Sequence, residues 1–472
     1  MRRVFIEDRY SYYFTIMKNR QSYWAFTVAV AGFLFGFDTV VISGANQPIK
    51  DLWDTNWFLG NSLFTFHGIF VMSMALWGTV IGSLLGGIPT DRFGRKKTLL
   101  WIGILYFASA IGSALAPEVF SFSFFRFIGG VGVGASSVAA PIYISEISNA
   151  SNRGKLTALY QFNIVFGIFI AFFSNYLIGI IFSGDIAWRW MLGIEALPAL
   201  IYTLMVIKLP HSPRWLLMKN RTKEEVTNAL SALGHDEASA NLEYDSILRS
   251  IKENAVATKE KLFSNKYSKV LLLAFLLAFF NQWSGINFVL YYAPEILERA
   301  GLASSESLFS SISIGAVNLI FTFVGIALID RLGRKQLMYI GSVGYIISLA
   351  MVAWCFKTAA SPGLLILFIL IFIASHAVGQ GAVIWVFISE IFPTKVRAYG
   401  QSWGTGTHWV FAAFITLITP TFLDADIGIF KDNPWPIFAF FSFMMILQLL
   451  WVKFFMPETK GVSLEELTKQ LT

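Results

Sequence analysis

The residues of this chain that most need a chemical reason are charges that interrupt apolar runs. Asp38 stands inside "GFLFGFDTVVISG", residues 32–44. Arg126 opens "RFIGGVGVGASSVAAPIYISEIS", and Glu195 lies in "WMLGIEALPALIYTLMVI". A carboxylate at the centre of a membrane helix costs about 2.5–3.5 kcal/mol to insert, so a partner is expected. Depth supplies one. Asp38 falls about 14 residues, or about 21 Å, into its helix, and Arg126 about 10 Å into a helix running the other way. In a hydrocarbon core about 30 Å thick these levels coincide, and Glu195 sits at a similar one. Arg126 favours the charged form of Asp38, whereas burial and Glu195 favour the neutral form. Opposed influences of that kind suit an acid that takes up and releases a proton as its access to water changes. A static ion pair is the alternative. The guanidinium stays protonated, so Arg126 is assigned as switching partner rather than proton carrier, and Glu195 as helper or conformational lock.

A second set of charges occurs twice. "DRFGRKK" (91–97) returns as "DRLGRK" (330–335), and "SEISNASNRGK" (145–155) as "SEIFPTKVRAYG" (389–400). The offset is about 240 residues each time, the mark of an internal repeat. Gly94 allows a tight turn, and the neighbouring cations are placed to meet Glu146 where helices end and carbonyls lack partners. The candidate set is Asp91, Arg92, Gly94, Arg95, Glu146 and Arg153, the repeated Asp330, Arg331, Gly333, Arg334, Glu390 and Arg397, and Arg214 in a later motif. One reading is a latch between the two repeats; the other is a set of topological anchors.

The elements that must position these groups are membrane helices. Hydrophobic residues make up 56% of the 472 and charged residues 14%, against about 25% charged in soluble domains; mean hydropathy is +0.61. Apolar stretches able to cross a membrane fall at 24–45, 64–89, 98–115, 119–143, 156–182, 188–208, 269–292, 308–329, 336–356, 363–390, 398–421 and 434–456. This predicts an all-α polytopic protein: a six-helix half over 1–208, a cytoplasmic helical linker over 209–268, a second six-helix half over 269–456, and a tail over 457–472. With both termini in the cytoplasm, about 28 of the 36 Lys and Arg lie on the inner side and about four outside, which orients the chain. The first 22 residues show no small-residue cleavage site. The basic residues are spread as topological determinants, which excludes a nucleic-acid stripe. The one cysteine, Cys355, forms neither an internal disulfide nor a thiolate cage. No nucleotide loop, metal spacing or nucleophile elbow is present, so neither an enzyme nor a metal or cofactor is expected, and uphill work must come from an ion gradient.

Six ordered motifs carry a resemblance. They are "RFIGGVGVGASSVAAPIYISEIS…RGK" (126–155), "PHSPRWL" (210–216), "NQWSGINFVLYYAP" (281–294), "DRLGRK" (330–335), "WVFISEIFPTKVRAYG" (385–400) and "PETKG" (457–461). Along nearly its whole length the chain resembles the sugar porter family of the major facilitator superfamily, and within it the bacterial sugar–proton symporters. The resemblance implies two parallel six-helix repeats with the substrate site at midplane between them, and a monosaccharide, hexose or pentose, carried with a proton through an inner membrane. Asp38 stands where proton-coupled members carry an acid. A facilitative uniporter and a sugar-sensing receptor are the other functions this scaffold supports. The short tail after "PETKG" disfavours signalling. Nothing demands more than a monomer in the lipid bilayer.

A sugar site needs amides, which donate and accept, and an aromatic platform. The resemblance carries that role to Gln161, Gln282, Asn287, Asn318 and Trp385, and to Asn281, where the family has a longer amide. Tyr291 and Tyr292 are placed to gate the outer side. Gln282 and Asn287 are five positions apart, off one helical face, unless Ser284-Gly285 loosens the helix. His408, beside Trp409, is a sugar donor, a titrating group or a satisfied buried histidine. Further departures from the family are His211, usually Glu, and "GQGAVIW" ahead of Trp385. Asn163, Asn175 and Gln380 are interior polar groups with no assigned role.

Overall fold

The computed structural model describes residues 2–53, 64–148, 153–183, 185–255, 261–393, 395–462 and 464–471. Eleven of its helices are long and apolar enough to cross a membrane, and one shorter apolar helix, Met74–Leu85, lies between the first two. In chain order the crossings are α1 (Arg20–Trp53), α2 (66–92), α3 (Arg95–Leu115), α4 (Val119–Ile147), α5 (Gly154–Ile181), α6 (Ile186–Ile207), α7 (Asn265–Arg299), α8 (Ser304–Leu332), α9 (Arg334–Thr358), α10 (Pro362–Ile391), α11 (Tyr399–Leu423) and α12 (Trp435–Phe454). Large apolar side chains such as Trp101, Leu197, Ile340 and Phe443 point outward, as a lipid-facing surface requires.

The segment expected as one span at 64–89 is not a single regular helix. In α2 the Ser73 N–H reaches back five residues to the Gly68 carbonyl at 3.1 Å. A second break at Gly86 separates Met74–Leu85 from Gly87–Arg92. Both breaks lie beside small residues, where neighbouring backbones come close. Three other crossings are broken as well, α6 at Ile194-Glu195 among them. Gly285 takes φ +85 inside α7, a conformation open to glycine at little cost. Gly379 interrupts α10, where it meets Gly341 of α9.

Small residues set the distance between helices. A Cβ on Gly36 of α1 would lie 1.9 Å from the Ile164 carbonyl oxygen of α5, and one on Gly130 of α4 would lie 1.8 Å from that of Ala75 in α2. The glycines near Asp38 and Arg126 therefore let α1 approach α5 and α4 approach α2. The halves meet where α5 packs on α8, with Phe162 5.5 Å from Phe323, and where α2 packs on α11, with Gly68 against the Leu417 carbonyl.

Between the halves lie three linker helices, Pro213–Met218, Lys223–Ala232 and Glu237–Ala255. Their starts are specified locally. The Ser212 hydroxyl accepts from the Trp215 N–H at 3.2 Å, and Thr222 with Glu225 forms a reciprocal cap. Trp215, Leu216, Val226, Leu230 and Ala240 form a small separate core. The bundle is fastened to the first half. Trp215 Nε1 donates to the Asp91 carbonyl at 2.9 Å, Trp24 Nε1 to that of Ala232 at 3.2 Å, and the Tyr143 hydroxyl to that of Pro210 at 2.9 Å.

Candidate functional site

Three crossings build the charged layer of the first half. Arg126 Nη1 stands 2.5 Å from Asp38 Oδ1, and Nη2 donates to the Asp38 carbonyl at 3.2 Å. The residues are each 2% exposed, so the pair is fully desolvated, and an ion pair so placed holds only when its remaining polar atoms find partners. Not all do. Among the described residues, Arg126 Nε and Glu195 Oε1 are both buried without a hydrogen-bond partner. Glu195, also 2% exposed, lies between the two helical pieces of α6 and within electrostatic range of Asp38 and Arg126. Glu195 is also within hydrogen-bonding reach of Asp38, so the two acids and the guanidinium form one buried cluster. Tyr291, buried in α7 of the other half, is within electrostatic range of the same pair.

The amides of the second half meet around the α7 break. The Gly285 N–H turns back to the Gln282 carbonyl at 3.0 Å, and the Ser284 hydroxyl to that of Asn281 at 2.6 Å. This loosened turn rotates Asn287 towards Gln282, whose Oε1 accepts from Asn287 Nδ2 at 2.8 Å. Gln282 Nε2 also donates to Asn281 Oδ1 at 3.1 Å and lies 3.1 Å from His408 Nε2. The His408 ring is flanked by Trp385 at 5.0 Å and Trp409 at 4.8 Å. Trp385 keeps 37% of its surface exposed, the property of an aromatic platform. Trp409 crosses to the first half, 5.5 Å from Phe35. Tyr292 stays within its own half, its hydroxyl donating to the Thr416 carbonyl at 2.9 Å. Half-buried Gln161 of α5 and buried Asn318 of α8 lie on helices that pack together, and among the described residues neither hydrogen-bonds to the Gln282 network.

The repeated charged motifs form two cages at one end of the bundle. Arg95 binds Glu146 at 2.8 Å, Asp91 at 3.1 Å and the Thr90 carbonyl at 3.1 Å. Arg334 binds Glu390 at 2.7 Å, Asp330 at 3.4 Å and the Ile329 carbonyl at 3.2 Å. Each arginine thus closes a cage inside its own half and caps a helix end. The acid each of these two arginines reaches belongs to its own repeat. Gly94 and Gly333 take φ +90 and +92 at the corresponding turns. Arg92 lies over Phe93, the Arg331 carbonyl accepts from Lys460, and Arg397 Nε donates to the Phe392 carbonyl. Arg214 lies in the linker helix Pro213–Met218. The side chain of Arg153 lies outside the described residues. His211 stacks on Trp215. Burial first, then Lys96, Lys97 and Arg221, hold its pKa below the ordinary histidine value.

A model of the sugar (and other) transporter family matches residues 24–471. The chain belongs to that family. The arabinose-proton symporter of Bacillus subtilis (strain 168) is 35% identical over 451 residues, covering 93% of this chain and 92% of the relative. The D-xylose-proton symporter of Escherichia coli (strain K12) is 33% identical over 485 residues, covering 93% of each. Among solved structures, the inward open conformation of the xylose transporter XylE from E. coli aligns with a TM-score of 0.81 at 31% identity, covering 95% of this chain and 99% of that one. XylE bound to 6-bromo-6-deoxy-D-glucose aligns at 0.77. This transporter is therefore an all-α, multi-pass membrane protein with the major facilitator fold.

Some polar groups of the transporter were not assigned from sequence. At the end opposite the cages, Lys50 of α1 meets Asp424 and Asp426 at 2.5 and 3.3 Å, and Asn46 Nδ2 donates to Glu295 Oε2 at 2.7 Å. In the second half the Tyr345 hydroxyl lies 2.6 Å from His376 Nδ1 and donates to Gln380, which in turn donates to Gln448. That chain gives Gln380 a role as packing between α9, α10 and α12. Asn175 ties α5 to the Val41 carbonyl of α1, and Asn163 bonds the Leu159 carbonyl of its own helix. A lysine near a helix end is the signal for the first group, but its partners are remote in sequence.

Proposed function

We propose that this protein imports a monosaccharide, a hexose or a pentose, together with a proton, by alternating access, as a monomer in the inner membrane with both termini in the cytoplasm. The observation that carries the reading is the Asp38–Arg126 pair, dry and at helix mid-depth, with a second buried acid beside it. When a proton from the outer side neutralises Asp38, the attraction that holds Arg126 there is lost. The orphaned Nε of Arg126 and Oε1 of Glu195 then give the guanidinium a second partner. The switch shifts α1 and α4 relative to α6, and the proton leaves Asp38 on the inner side when water arrives. Sugar hydroxyls replace the hydrogen bonds that Asn281, Gln282, Asn287 and His408 make to one another, with Gln161 and Asn318 facing from the α5–α8 side. The exposed face of Trp385 carries the ring. Relatives named for arabinose, xylose and glucose support a monosaccharide. The excess of Lys and Arg in the cage-side loops supports the orientation.

The test is to add xylose, glucose, galactose, arabinose or inositol to de-energised cells that lack their own sugar porters and hold this protein, and to record external pH. Alkalinisation with one sugar, abolished in Asp38→Asn while labelled-sugar exchange persists, is expected. Labelled sugar entering with no pH change would overturn the coupling and leave Asp38 as a structural partner of Arg126.

A further inference from the structure

At the end of the bundle opposite the two arginine cages, the halves are joined by side chains. Lys50, near the end of α1, reaches Asp424, just past α11 in the other half, at 2.5 Å. The Lys50 and Asp424 side chains are 12% and 5% exposed, so the contact is nearly dry. Asp424 is fixed in place, because its Oδ1 accepts from the backbone N–H groups of Asp426 at 2.8 Å and Ile427 at 3.1 Å. One turn deeper along α1, Asn46 bridges to Glu295 of α7 and is itself held by His67 Nε2 at 2.6 Å. One turn below Glu295 stands Tyr291, within electrostatic range of Arg126. The joint is therefore stacked directly over the charged layer. A cavity of about 330 Å³, lined from both halves by Ser43, Asn46, Asp51, Glu295 and Glu298, lies against it.

We propose that Lys50 and Asp424, backed by Asn46 and Glu295, are the gating residues that hold this end of the transporter shut and must part in every cycle. This rests on the orientation given above, in which that end faces outward. The physics suits a gate. A buried ion pair gains little net free energy when intact, because attraction is offset by lost hydration, yet it strongly penalises the state in which one partner is missing. When the halves separate, both ions regain water. The pair thus selects one closed geometry without trapping it.

The test uses the full-length chain with Cys355→Ser and Ser43→Cys. Ser43 lies two turns below Lys50 on α1, and among the described residues its hydroxyl is buried without a partner, at the cavity between the halves. Labelling of this thiol by a membrane-impermeant maleimide is followed in right-side-out and in inside-out vesicles. Lys50→Met leaves Asp424 uncompensated in the closed state. Asp424→Asn leaves Lys50 only the exposed carboxylate of Asp426, at 3.3 Å, and keeps an oxygen for the two backbone N–H groups. Each is expected to speed labelling about tenfold in right-side-out vesicles alone. The double variant removes both charges and is expected to label more slowly than either single one. Unchanged rates, equal rises in both vesicle types, or a double variant whose effect is the product of the singles would overturn the gate. The same pattern confined to inside-out vesicles would keep the gate and overturn the orientation.

Discussion

The two ends of the bundle use charge in opposite ways. At the cage end, Arg95 and Arg334 each bind acids of their own half and complete the same helix end with a carbonyl contact. At the other end, Lys50 and Asn46 bind acids of the opposite half. The cages are also backed by the segment that follows the last crossing of each half. Trp215 packs on Gly94 and holds the Asp91 carbonyl. Glu458 accepts from the Arg334 and Lys335 N–H groups beside Gly333, while Thr459 donates to Glu390. The cages join helices within one half, whereas the contacts at the far end join one half to the other. In a carrier that works by rocking its halves, the first job is permanent and the second reversible.

That difference breaks first at the cages. Arg95→Met leaves Glu146, whose side chain is 8% exposed, buried and unpaired, and is expected to cost about 3–5 kcal/mol of stability. Glu390 is 24% exposed, so Arg334→Met is expected to cost less, about 2 kcal/mol, because water compensates part of the loss. Thermal unfolding in detergent reads both. Equal shifts would mean that the cages do not differ by burial. A next smaller effect belongs to the turns. Gly333→Ala puts a Cβ 2.6 Å from Glu458 Oε2 at φ +92, a strained position worth about 1–3 kcal/mol. Gly94→Ala meets Trp215 at 2.9 Å and is expected to be similar. Since both act within one half, neither should change the sidedness of Ser43→Cys labelling.

Much of this was legible because long membrane helices obey simple geometry. The rise per residue alone puts Asp38, Arg126 and Glu195 in one layer, and the repeat alone pairs the Arg95 motif with the Arg334 motif. What lay outside that reach depended on breaks and on distant loops. Ideal helical spacing separates Gln282 from Asn287, and only the positive φ of Gly285 brings them to 2.8 Å. The Ser-Gly pair announced a break but not its direction. His408 joins Gln282 from another crossing, so no spacing announces it. Lys50 reads as a loop cation because its partner lies in the other half, beyond α11. The first break of α2 lies where Gly68 meets the α11 backbone and the second where Gly86 meets Ala135 of α4, close contacts that a hydropathy run does not record. The linker reads as helical from composition, yet its attachment to the first half depends on Trp24, Tyr143 and Trp215 finding backbone carbonyls across the fold.

The smallest expected effect separates the two uses of charge by pH. Burial works to raise the pKa of Asp424, but the Lys50 ammonium and the N–H groups of Ile427 and Asp426 outweigh it and hold the carboxyl below its ordinary value. A carboxyl depressed on folding contributes its full stabilisation above the unfolded value and loses it only as pH falls through the folded one. Asp424 therefore stays charged across the whole range in which a proton-coupled carrier works. If the Lys50–Asp424 pair alone sets closure, labelling of Ser43→Cys from the outside, normalised to a free thiol at each pH, stays flat between about pH 8 and pH 5. A flat profile together with loss of coupling in Asp38→Asn would assign protonation to the charged layer and closure to the joint above it. A rate that climbs as pH falls would mean that a proton taken up at the joint itself, at Glu295 beside Asn46, loosens it, and the outer end would then be a second titrating region rather than a passive gate.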